Sequence, residues 1–241
     1  MAKQKTNVNT KSPKQFLLSE NSKFQMREDY KALRTNISFS FSTHGSKVIS
    51  VTSSSRREGK STTAINLAIS YASLGERVLL IDGDFRLPTV ASKLRIRKKE
   101  GLKGMTDYLV GNANIDEVLL WNKQHGIYVI CAGTIPPDPT RLLQSAELEE
   151  IINQLKKSFT YIIIDCPPIG AVIDAALISR FVDGYILVVR HMQTEHKGIA
   201  AMLEQLERAK ANVLGFVYTN APVEGKKYYQ KYGGAYSSAY E

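Results

Sequence analysis

The feature that most constrains the fold is a short apolar segment that runs without a break into a glycine-containing loop and then into a helical pattern. Residues 47–52 are rich in β-branched side chains and predict a strand, and residues 62–74 predict a helix that ends at Gly75. More apolar segments follow, and they alternate with helical patterns. This order predicts an α/β fold, with a mostly parallel sheet covered by helices on both faces. The later predicted strands are residues 77–81, 127–131, 161–164, 185–189 and 213–218.

The loop after the first strand has the residues of a phosphate-binding loop. The general pattern is G-x-x-x-x-G-K-[ST], and the chain has Gly59, Lys60 and Ser61 in its second half. Ser54 stands at the first glycine position. Backbone N–H groups at a helix N-terminus attract anions, Lys60 can reach the β- and γ-phosphates, and the Ser61 hydroxyl can ligate Mg²⁺. The sequence therefore predicts a P-loop NTPase-like fold that binds ATP with Mg²⁺.

Three aspartates follow strands that are expected to end beside this loop. Asp82 and Asp84 come after the second predicted strand, and Asp165 follows the fourth. Because ligands of parallel sheets bind at the carboxyl ends of the strands, these carboxylates are expected to lie near the phosphates. They can hold Mg²⁺ or accept the proton of a hydroxyl nucleophile. Asp174 and Asp183 are interpreted as residues of helix caps or turns.

Composition predicts one globular domain with polar ends. The chain has 241 residues, 43% of them hydrophobic, and a net charge of +9. We predict a flexible basic arm over residues 1–25, a P-loop domain over residues 26–220 and a flexible tail over residues 221–241. The sequence has no apolar run of about 18 residues and no apolar segment behind its first basic residues, which argues against a membrane span and a secretory signal. Two cysteines cannot form a disulfide framework, so a cytoplasmic location is expected.

The end of the chain is rich in tyrosine. Residues 226–241 contain five of the 12 tyrosines, surrounded by lysine, glycine and serine. A low-complexity tail without a function is the simplest interpretation. Accessible tyrosines of this kind are also suited to modification, and phosphorylation of several would turn a cationic tail into an anionic one. The candidate phosphate acceptors are Tyr228, Tyr229, Tyr232, Tyr236 and Tyr240.

Together these motifs resemble the bacterial tyrosine kinases of capsule and exopolysaccharide synthesis, in the cytoplasmic form of Gram-positive bacteria. The matching segments are E-G-K-S-T-T at residues 58–63, L-L-I-D-G-D-F-R at 79–86, I-P-P-D-P-T-R-L-L at 135–143 and I-I-I-D-C-P-P at 162–168. The tyrosine cluster also matches, and the resemblance covers residues 26–241. The second aspartate motif combined with this tail is far more specific than the phosphate loop alone.

The resemblance implies an ATP-dependent protein-tyrosine kinase that phosphorylates the tail of a neighbouring copy and regulates polysaccharide synthesis. It implies that Asp82 is the base that activates the tyrosine. The implied site consists of catalytic Lys60, Asp82 and Asp84, nucleotide-binding Glu58, Gly59, Lys60, Ser61, Thr62, Arg86 and Asn220, and metal-binding Ser61, Asp82 and Asp165.

The resemblance also implies partners. Family members need a membrane-embedded activator of the polysaccharide chain-length type, which recruits the kinase to the inner face of the membrane. They form homo-oligomeric rings that phosphorylation disperses, and they act with a cognate tyrosine phosphatase and protein substrates. No nucleic-acid partner is expected. The ring motif E-x-x-R-x-x-R corresponds to Glu28, Lys31 and Arg34.

The chain departs from the family pattern in two places. Arg56 and Arg57 stand where the family usually has Pro-Gly. Loss of that glycine can strain the loop, or the arginines can add phosphate contacts. In the ring motif, Lys31 replaces an arginine and lacks its bidentate fork, although Glu28, Lys31 and Arg34 still share one helix face.

Two other functions remain open at this point. One is a partitioning or cell-division ATPase, which would transfer phosphate to water. Those proteins have a lysine early in the loop, where this chain has Ser55. The other is an ATP-gated assembly factor whose catalysis is weakened by Arg56 and Arg57.

Overall fold

The computed structural model describes residues 16–42, 45–96 and 101–222, which form a layered α/β domain around one sheet. The strands are β1 Lys47–Ser53, β2 Val78–Asp82, β3 Leu119–Asn122, β4 Ile127–Ile130, β5 Tyr161–Asp165, β6 Gly184–Arg190 and β7 Val213–Thr219. Their spatial order is β3-β4-β2-β5-β1-β6-β7. Only the β3–β4 pairing is antiparallel among these strands, so the predicted fold class is confirmed.

The central strands are buried because both faces of the sheet are covered. In β2, Leu79 and Ile81 belong to one apolar cluster, while Val78 and Leu80 belong to the other. This alternation follows from the two-residue period of a strand. The apolar character on both faces is therefore the sequence signature of a central parallel strand.

Helices from different parts of the chain form the two covering layers. Residues of α1 and α2 join the cluster on one face, and residues of α7 and α9 join the cluster on the other. The helix bounds are α1 Phe24–Phe39, α2 Lys60–Ala72, α3 Val90–Lys93, α4 Met105–Leu109, α5 Ile115–Val118, α6 Pro139–Leu143, α7 Ala146–Leu155, α8 Asp174–Leu177 and α9 His196–Arg208. The sequence predicts Ser145 as the N-cap of an amphipathic helix over residues 145–156. The structure confirms this cap, since the Ser145 hydroxyl accepts from the Leu148 N–H at 3.2 Å.

Three local predictions need correction. Strand β3 was not predicted, because its four residues are half-exposed and directly follow a helical turn. The prolines at positions 136, 137 and 139 predict a rigid loop, but this segment ends in a short helix, since Pro139 occupies its first turn and Asp138 caps it. The sequence also predicts one helix over residues 172–180, but the structure splits it into α8 and a 3₁₀ turn at Ser179–Phe181.

The predicted flexible arm also ends earlier than residue 25. Leu17 and Leu18 are buried, and the Leu18 N–H donates to Asn66 Oδ1 at 2.8 Å. Asn66 Nδ2 in turn donates to the Phe16 carbonyl at 2.8 Å. Apolar burial and two hydrogen bonds fix this segment to α2. Residues 1–15 lie outside the described residues.

Two further interpretations of the sequence concern its cysteines and its lack of a membrane span. Cys131 and Cys166 are buried and form no disulfide, as expected for reduced thiols. Within the described ranges, none of the helices has the length and apolar character that a bilayer crossing requires.

Candidate active site

The phosphate-binding loop depends on a glycine at the start of α2. Gly59 has a φ of 107°, a left-handed conformation that favours glycine. A Cβ atom there would lie 3.3 Å from the Thr219 methyl group, and the Thr219 hydroxyl donates to the Glu58 carbonyl at 2.6 Å. The loop is therefore packed against the end of β7. Lys60 begins the helix, two residues before the start predicted from the sequence.

The Glu58 side chain stabilises the loop from within. Its carboxylate is fully buried and accepts from the Ser55 N–H at 2.8 Å and from the Thr194 hydroxyl. Both carboxylate oxygens are thus hydrogen-bonded to protein groups. The described contacts give the Glu58 side chain a role in loop structure, and the expected contact of Glu58 with the nucleotide stays a prediction.

The strain expected from the missing glycine is present. Arg57 has a φ of 64°, which costs energy in a residue with a side chain. The loop that follows β6 stabilises this conformation, because Gln193 Nε2 donates to the Arg56 carbonyl at 2.9 Å and Arg190 Nη1 donates to the Arg57 carbonyl at 3.2 Å.

Lys60 lies between two carboxylates behind this loop. Its Nζ is 3.3 Å from Asp84 Oδ2 and 3.8 Å from Asp165 Oδ1. Burial disfavours its charge, but the attraction of Asp165 and Asp84 outweighs burial and raises the pKa of Lys60. Lys60 therefore stays charged, as a phosphate ligand must.

Asp82 and Asp165 are neighbours because β2 and β5 pair in parallel with these two residues in register. The Asp82 carboxylate accepts from the Val90 N–H at 3.0 Å and from the Asp84 N–H at 3.3 Å. Burial, and then the negative charge of Asp165, raise the pKa of Asp82 to about 7. Asp84 is fixed differently, since one oxygen accepts from the Leu87 N–H at 2.9 Å and the other faces Lys60.

Asp165 provides the test of whether this site suits a metal ion. It is fully buried, and neither carboxylate oxygen has a hydrogen-bond partner among the described residues. Burial raises the pKa of Asp165, although Lys60 opposes the shift. Leaving a buried carboxylate unpaired is costly unless a cation joins it. With the nearby Ser61 hydroxyl, these oxygens fit Mg²⁺, which prefers oxygen ligands.

The protein side chains would not complete such a metal site alone. The described ranges contain no group of three or more His, Cys, Asp or Glu side chains arranged to hold an ion. Mg²⁺ commonly keeps several waters and binds one or two carboxylates together with substrate phosphates. The arrangement around Ser61 and Asp165 therefore suits a metal ion that arrives with a nucleotide.

Arg86 has a partner that the sequence analysis missed. Its Nε donates to Asp174 Oδ2 at 2.7 Å and its Nη2 to Asp174 Oδ1 at 3.0 Å, while Nη2 also donates to the Thr140 hydroxyl at 3.2 Å. Asp174 is buried, so it is half of an ion pair and not simply a turn former. The guanidinium links the turn after β2 to α6 and α8, and its expected nucleotide contact stays a prediction.

The remaining predicted residues lie at different distances from this centre. The Thr62 hydroxyl accepts from Lys93 Nζ at 3.3 Å, at the start of α2. Asn220 is exposed and directly follows Thr219, so it is near the phosphate loop. Their nucleotide contacts stay predictions. The five tail tyrosines lie outside the described residues.

The three ring-motif residues are not equivalent. Lys31 Nζ and Glu28 Oε1 form an ion pair of 2.7 Å on α1, and both side chains are well exposed. Arg34 Nη1 instead donates to the Ser70 carbonyl of α2 at 2.5 Å. Arg34 therefore stabilises its own subunit, which the helix-face argument did not anticipate.

Comparison with known proteins identifies the family. The family model for an AAA domain matches residues 46–216. The chain is 38% identical to the tyrosine-protein kinase CpsD of Streptococcus agalactiae serotype III over 79% of this chain and 80% of CpsD. It is 34% identical to the tyrosine-protein kinase YwqD of Bacillus subtilis over 86% of each chain. The chain belongs to the bacterial tyrosine-protein kinases.

Comparison with a solved structure supports the same fold. The crystal structure of the chimerical protein CapA2B2 superposes with a TM-score of 0.76 at 29% identity, over 81% of this chain and 84% of that one. The resemblance noted from the sequence motifs is therefore confirmed at the level of family and fold. In this chain the Lys60 cluster, which consists of Lys60, Asp84 and Asp165, lies where the phosphate loop and the ends of β2 and β5 meet.

Proposed function

We propose that the chain transfers the γ-phosphate of ATP to tyrosines in the tail of a neighbouring copy, and that this reaction regulates capsule or exopolysaccharide synthesis. The observation that carries the proposal is the Lys60 cluster. One charged amine lies between Asp84 and Asp165, and the latter carboxylate is buried without a hydrogen-bond partner among the described residues. Such a cluster is suited to phosphates that bring a divalent cation.

The chain's own residues supply positioning and charge. The N–H groups at the start of α2 and the amine of Lys60 bind the β- and γ-phosphates of ATP. Ser61 and Asp165 would hold Mg²⁺, with Asp82 beside them. When bound, the ion neutralises charge on the phosphate oxygens. The nucleotide-binding set further includes Gly59, Thr62, Arg86 and Asn220.

Asp82 and Asp84 are proposed to serve the tyrosine. A tyrosine hydroxyl has a pKa of about 10, so it attacks better when a base removes its proton. Asp82 has a pKa of about 7, which suits an acceptor at neutral pH. Asp84 remains fixed against Lys60 and the Leu87 N–H.

The acceptors proposed are the tail tyrosines of a neighbouring chain, Tyr228, Tyr229, Tyr232, Tyr236 and Tyr240. Support comes from their number and from the lysine and glycine residues around them. Further proposed partners are a membrane-embedded activator, a cognate phosphatase and other protein substrates. The activator would recruit a cytoplasmic kinase to the inner face of the membrane. The matched chimera joins parts of two proteins, which supports such an association.

The decisive assay separates the kinase from the two alternatives. Purified full chain is incubated with ATP and Mg²⁺, and both tail phosphotyrosine and free phosphate are measured. A kinase labels the tail, and Lys60→Met removes the label. Free phosphate with an unlabelled tail would instead support an ATPase. Nucleotide binding without either product would support an assembly factor.

A ring of subunits is proposed for the α1 surface. Glu28 and Lys31 are free to exchange their intrachain ion pair for partners on another copy, whereas Arg34 contacts Ser70 of its own chain. Glu28→Ala with Lys31→Ala is expected to lower the oligomer mass measured by light scattering. Lys157→Ala with Glu207→Ala, on exposed positions of the turn after α7 and of α9, is the matched control. An unchanged mass in the α1 variant would reject this surface.

A further inference from the structure

Two arginines at the outer side of the phosphate loop have no described partner for their charge. Arg56 and Arg57 are exposed, and within the described residues neither guanidinium makes an ion pair or hydrogen bond. Only their backbone carbonyls are bound, by Gln193 and Arg190. Arg57 keeps a left-handed backbone at φ 64°, which a glycine would adopt at lower cost.

The charges around the pair leave it cationic. The segments packed around it, residues 53–61, 190–197 and 213–222, contain two acidic residues. Glu58 is buried and bound to Ser55 and Thr194, and Glu195 pairs with Lys197 at 2.8 Å. Arg190 adds a third guanidinium beside the Arg57 carbonyl. The outer face of the loop therefore presents unpaired positive charge to solvent.

The chain's tail leaves the domain beside this surface. The Thr219 hydroxyl, at the end of β7, donates to the Glu58 carbonyl one residue from Arg57. Tyr228 is nine residues beyond Thr219, and an extended chain of that length reaches at most about 30 Å. Four of the tail tyrosines, Tyr228, Tyr232, Tyr236 and Tyr240, recur every four residues.

We propose that Arg56 and Arg57 form a phosphotyrosine-binding site that takes up the chain's tail after phosphorylation. A phosphotyrosine carries a charge of about −1.5 to −2 and three acceptor oxygens, and arginine binds such groups bidentately. The unmodified tail, with lysines at 226, 227 and 231, is repelled by the same surface. Phosphorylation thus converts a repelled segment into a ligand of the phosphate-binding loop. The phosphorylated tail, which is the product of the reaction, would then regulate the active site.

The inference rests on the proposed function only for the identity of the acceptor. The test therefore uses synthetic peptides and needs no catalysis. A fluorescent peptide of residues 226–241, with phosphate on Tyr232, Tyr236 and Tyr240 or with none, is titrated with full chain that has not been exposed to ATP. Fluorescence anisotropy at about 0.15 M salt, which is near physiological ionic strength, gives the two affinities.

The phosphorylated peptide is expected to bind roughly ten- to hundredfold more tightly, in keeping with charge-assisted hydrogen bonds. Arg56→Gln with Arg57→Asn should lose most of this difference. Asn tolerates the left-handed backbone, so the loop conformation is kept. Arg56→Gln alone should have an intermediate effect. Lys157→Gln with Arg208→Gln, which removes two exposed cations elsewhere, should bind as the parent does.

Several results would overturn the inference. Equal affinities for the two peptides would do so, as would an unchanged affinity in the loop variants. A third arm adds ADP and Mg²⁺ at saturation. Peptide binding that persists supports a site outside the nucleotide, whereas complete displacement would assign the arginines to the nucleotide phosphates. The peptide measurement can fail while tail phosphorylation succeeds, so it is independent of the kinase assay.

Discussion

Two ion clusters at the carboxyl edge of the sheet differ in how completely their charges are satisfied. In the first, Lys60 is 3.3 Å from Asp84 and 3.8 Å from Asp165, and the Asp165 oxygens lack hydrogen-bond partners in the part of the chain that the structure describes. In the second, Arg86 and Asp174 form a bidentate pair with distances of 2.7 and 3.0 Å. The first cluster is suited to a ligand, and the second fixes the elements around it.

The comparison predicts opposite signs for two similar substitutions. Removing the Asp165 charge from the first cluster should harm activity and relieve the apo protein. The Asp165 carboxylate is buried without a hydrogen bond among the described residues, and Lys60, 3.8 Å away, keeps Asp84 as its nearer partner at 3.3 Å. Removing a charge from the second should harm stability, because its partner is left unpaired.

Asp165→Asn should have the largest effect. Phosphotyrosine formation is expected to fall by at least about a hundredfold, since a charged ligand of the transition state is lost. The free energy of unfolding of the apo chain, measured in urea, should stay the same or rise by about 1 kcal/mol. The exposed Asp116→Asn is the control and should change neither quantity. A stability loss above about 1 kcal/mol in Asp165→Asn would show that Lys60 already compensates the Asp165 charge in the apo chain, and it would contradict this account.

Asp82 tests the first cluster through pH. Its pKa of about 7 in the folded chain exceeds its ordinary value of 3.8, so the folded state holds a proton that the unfolded state releases. The apo protein should therefore lose stability as pH rises from about 4 to about 7. Asp82→Asn lacks this titration and should exceed the parent in stability at pH 8, by an amount on the order of a few kcal/mol.

Measurements near pH 4 serve as the internal control for the Asp82→Asn experiment. At pH values near 4, the parent also carries a protonated Asp82, so the gap between parent and Asp82→Asn should close. Urea unfolding at a series of pH values measures the gap. A gap that is constant with pH would show that Asp82 is ionised throughout and would remove the support for a base with a pKa of about 7.

Asp174→Asn should have a smaller effect, mainly on stability. The carboxylate is fully buried, but the Arg86 side chain is 37% exposed, and solvent reduces the cost of leaving it unpaired. A loss of about 1–2 kcal/mol is expected in urea unfolding, together with a loss of activity of about tenfold as the turn holding Asp84 loosens. The matched control is Glu149→Gln, which breaks the exposed pair with Arg180 and should cost less than about 0.5 kcal/mol. Equal losses of unfolding free energy in Asp174→Asn and Glu149→Gln would show that the Arg86–Asp174 pair is no more important for stability than an exposed ion pair.

The sequence was sufficient to predict the first cluster but not the second. Asp82, Asp84 and Asp165 follow apolar strands, and parallel pairing brings strand ends together, so a local pattern located them. Arg86 and Asp174 are 88 residues apart, and no local pattern couples them. Asp174 was consequently interpreted as a turn residue.

The same reasoning explains the other differences. Strand β3 has four residues without the continuous apolar character of the central strands, because it lies at the sheet edge. Glu58 is predicted to bind the nucleotide because of its place in the motif. In the structure its side chain is buried inside the loop, where its carboxylate accepts a hydrogen bond from the Thr194 hydroxyl. The strain at Arg57 agrees with the sequence analysis, because the residue has a positive φ at a position where the family usually has glycine.

The central claim is that the Lys60 cluster transfers phosphate to a tail tyrosine of another copy. It is tested most directly by mixing two forms of the chain, neither of which can phosphorylate a tail by itself. One carries Lys60→Met and an intact tail, and the other has the five tail tyrosines replaced by phenylalanine and an intact site. After incubation with ATP and Mg²⁺, mass spectrometry should find phosphotyrosine on the tail of the Lys60→Met chain. ATP hydrolysis without phosphotyrosine on that chain would contradict the account.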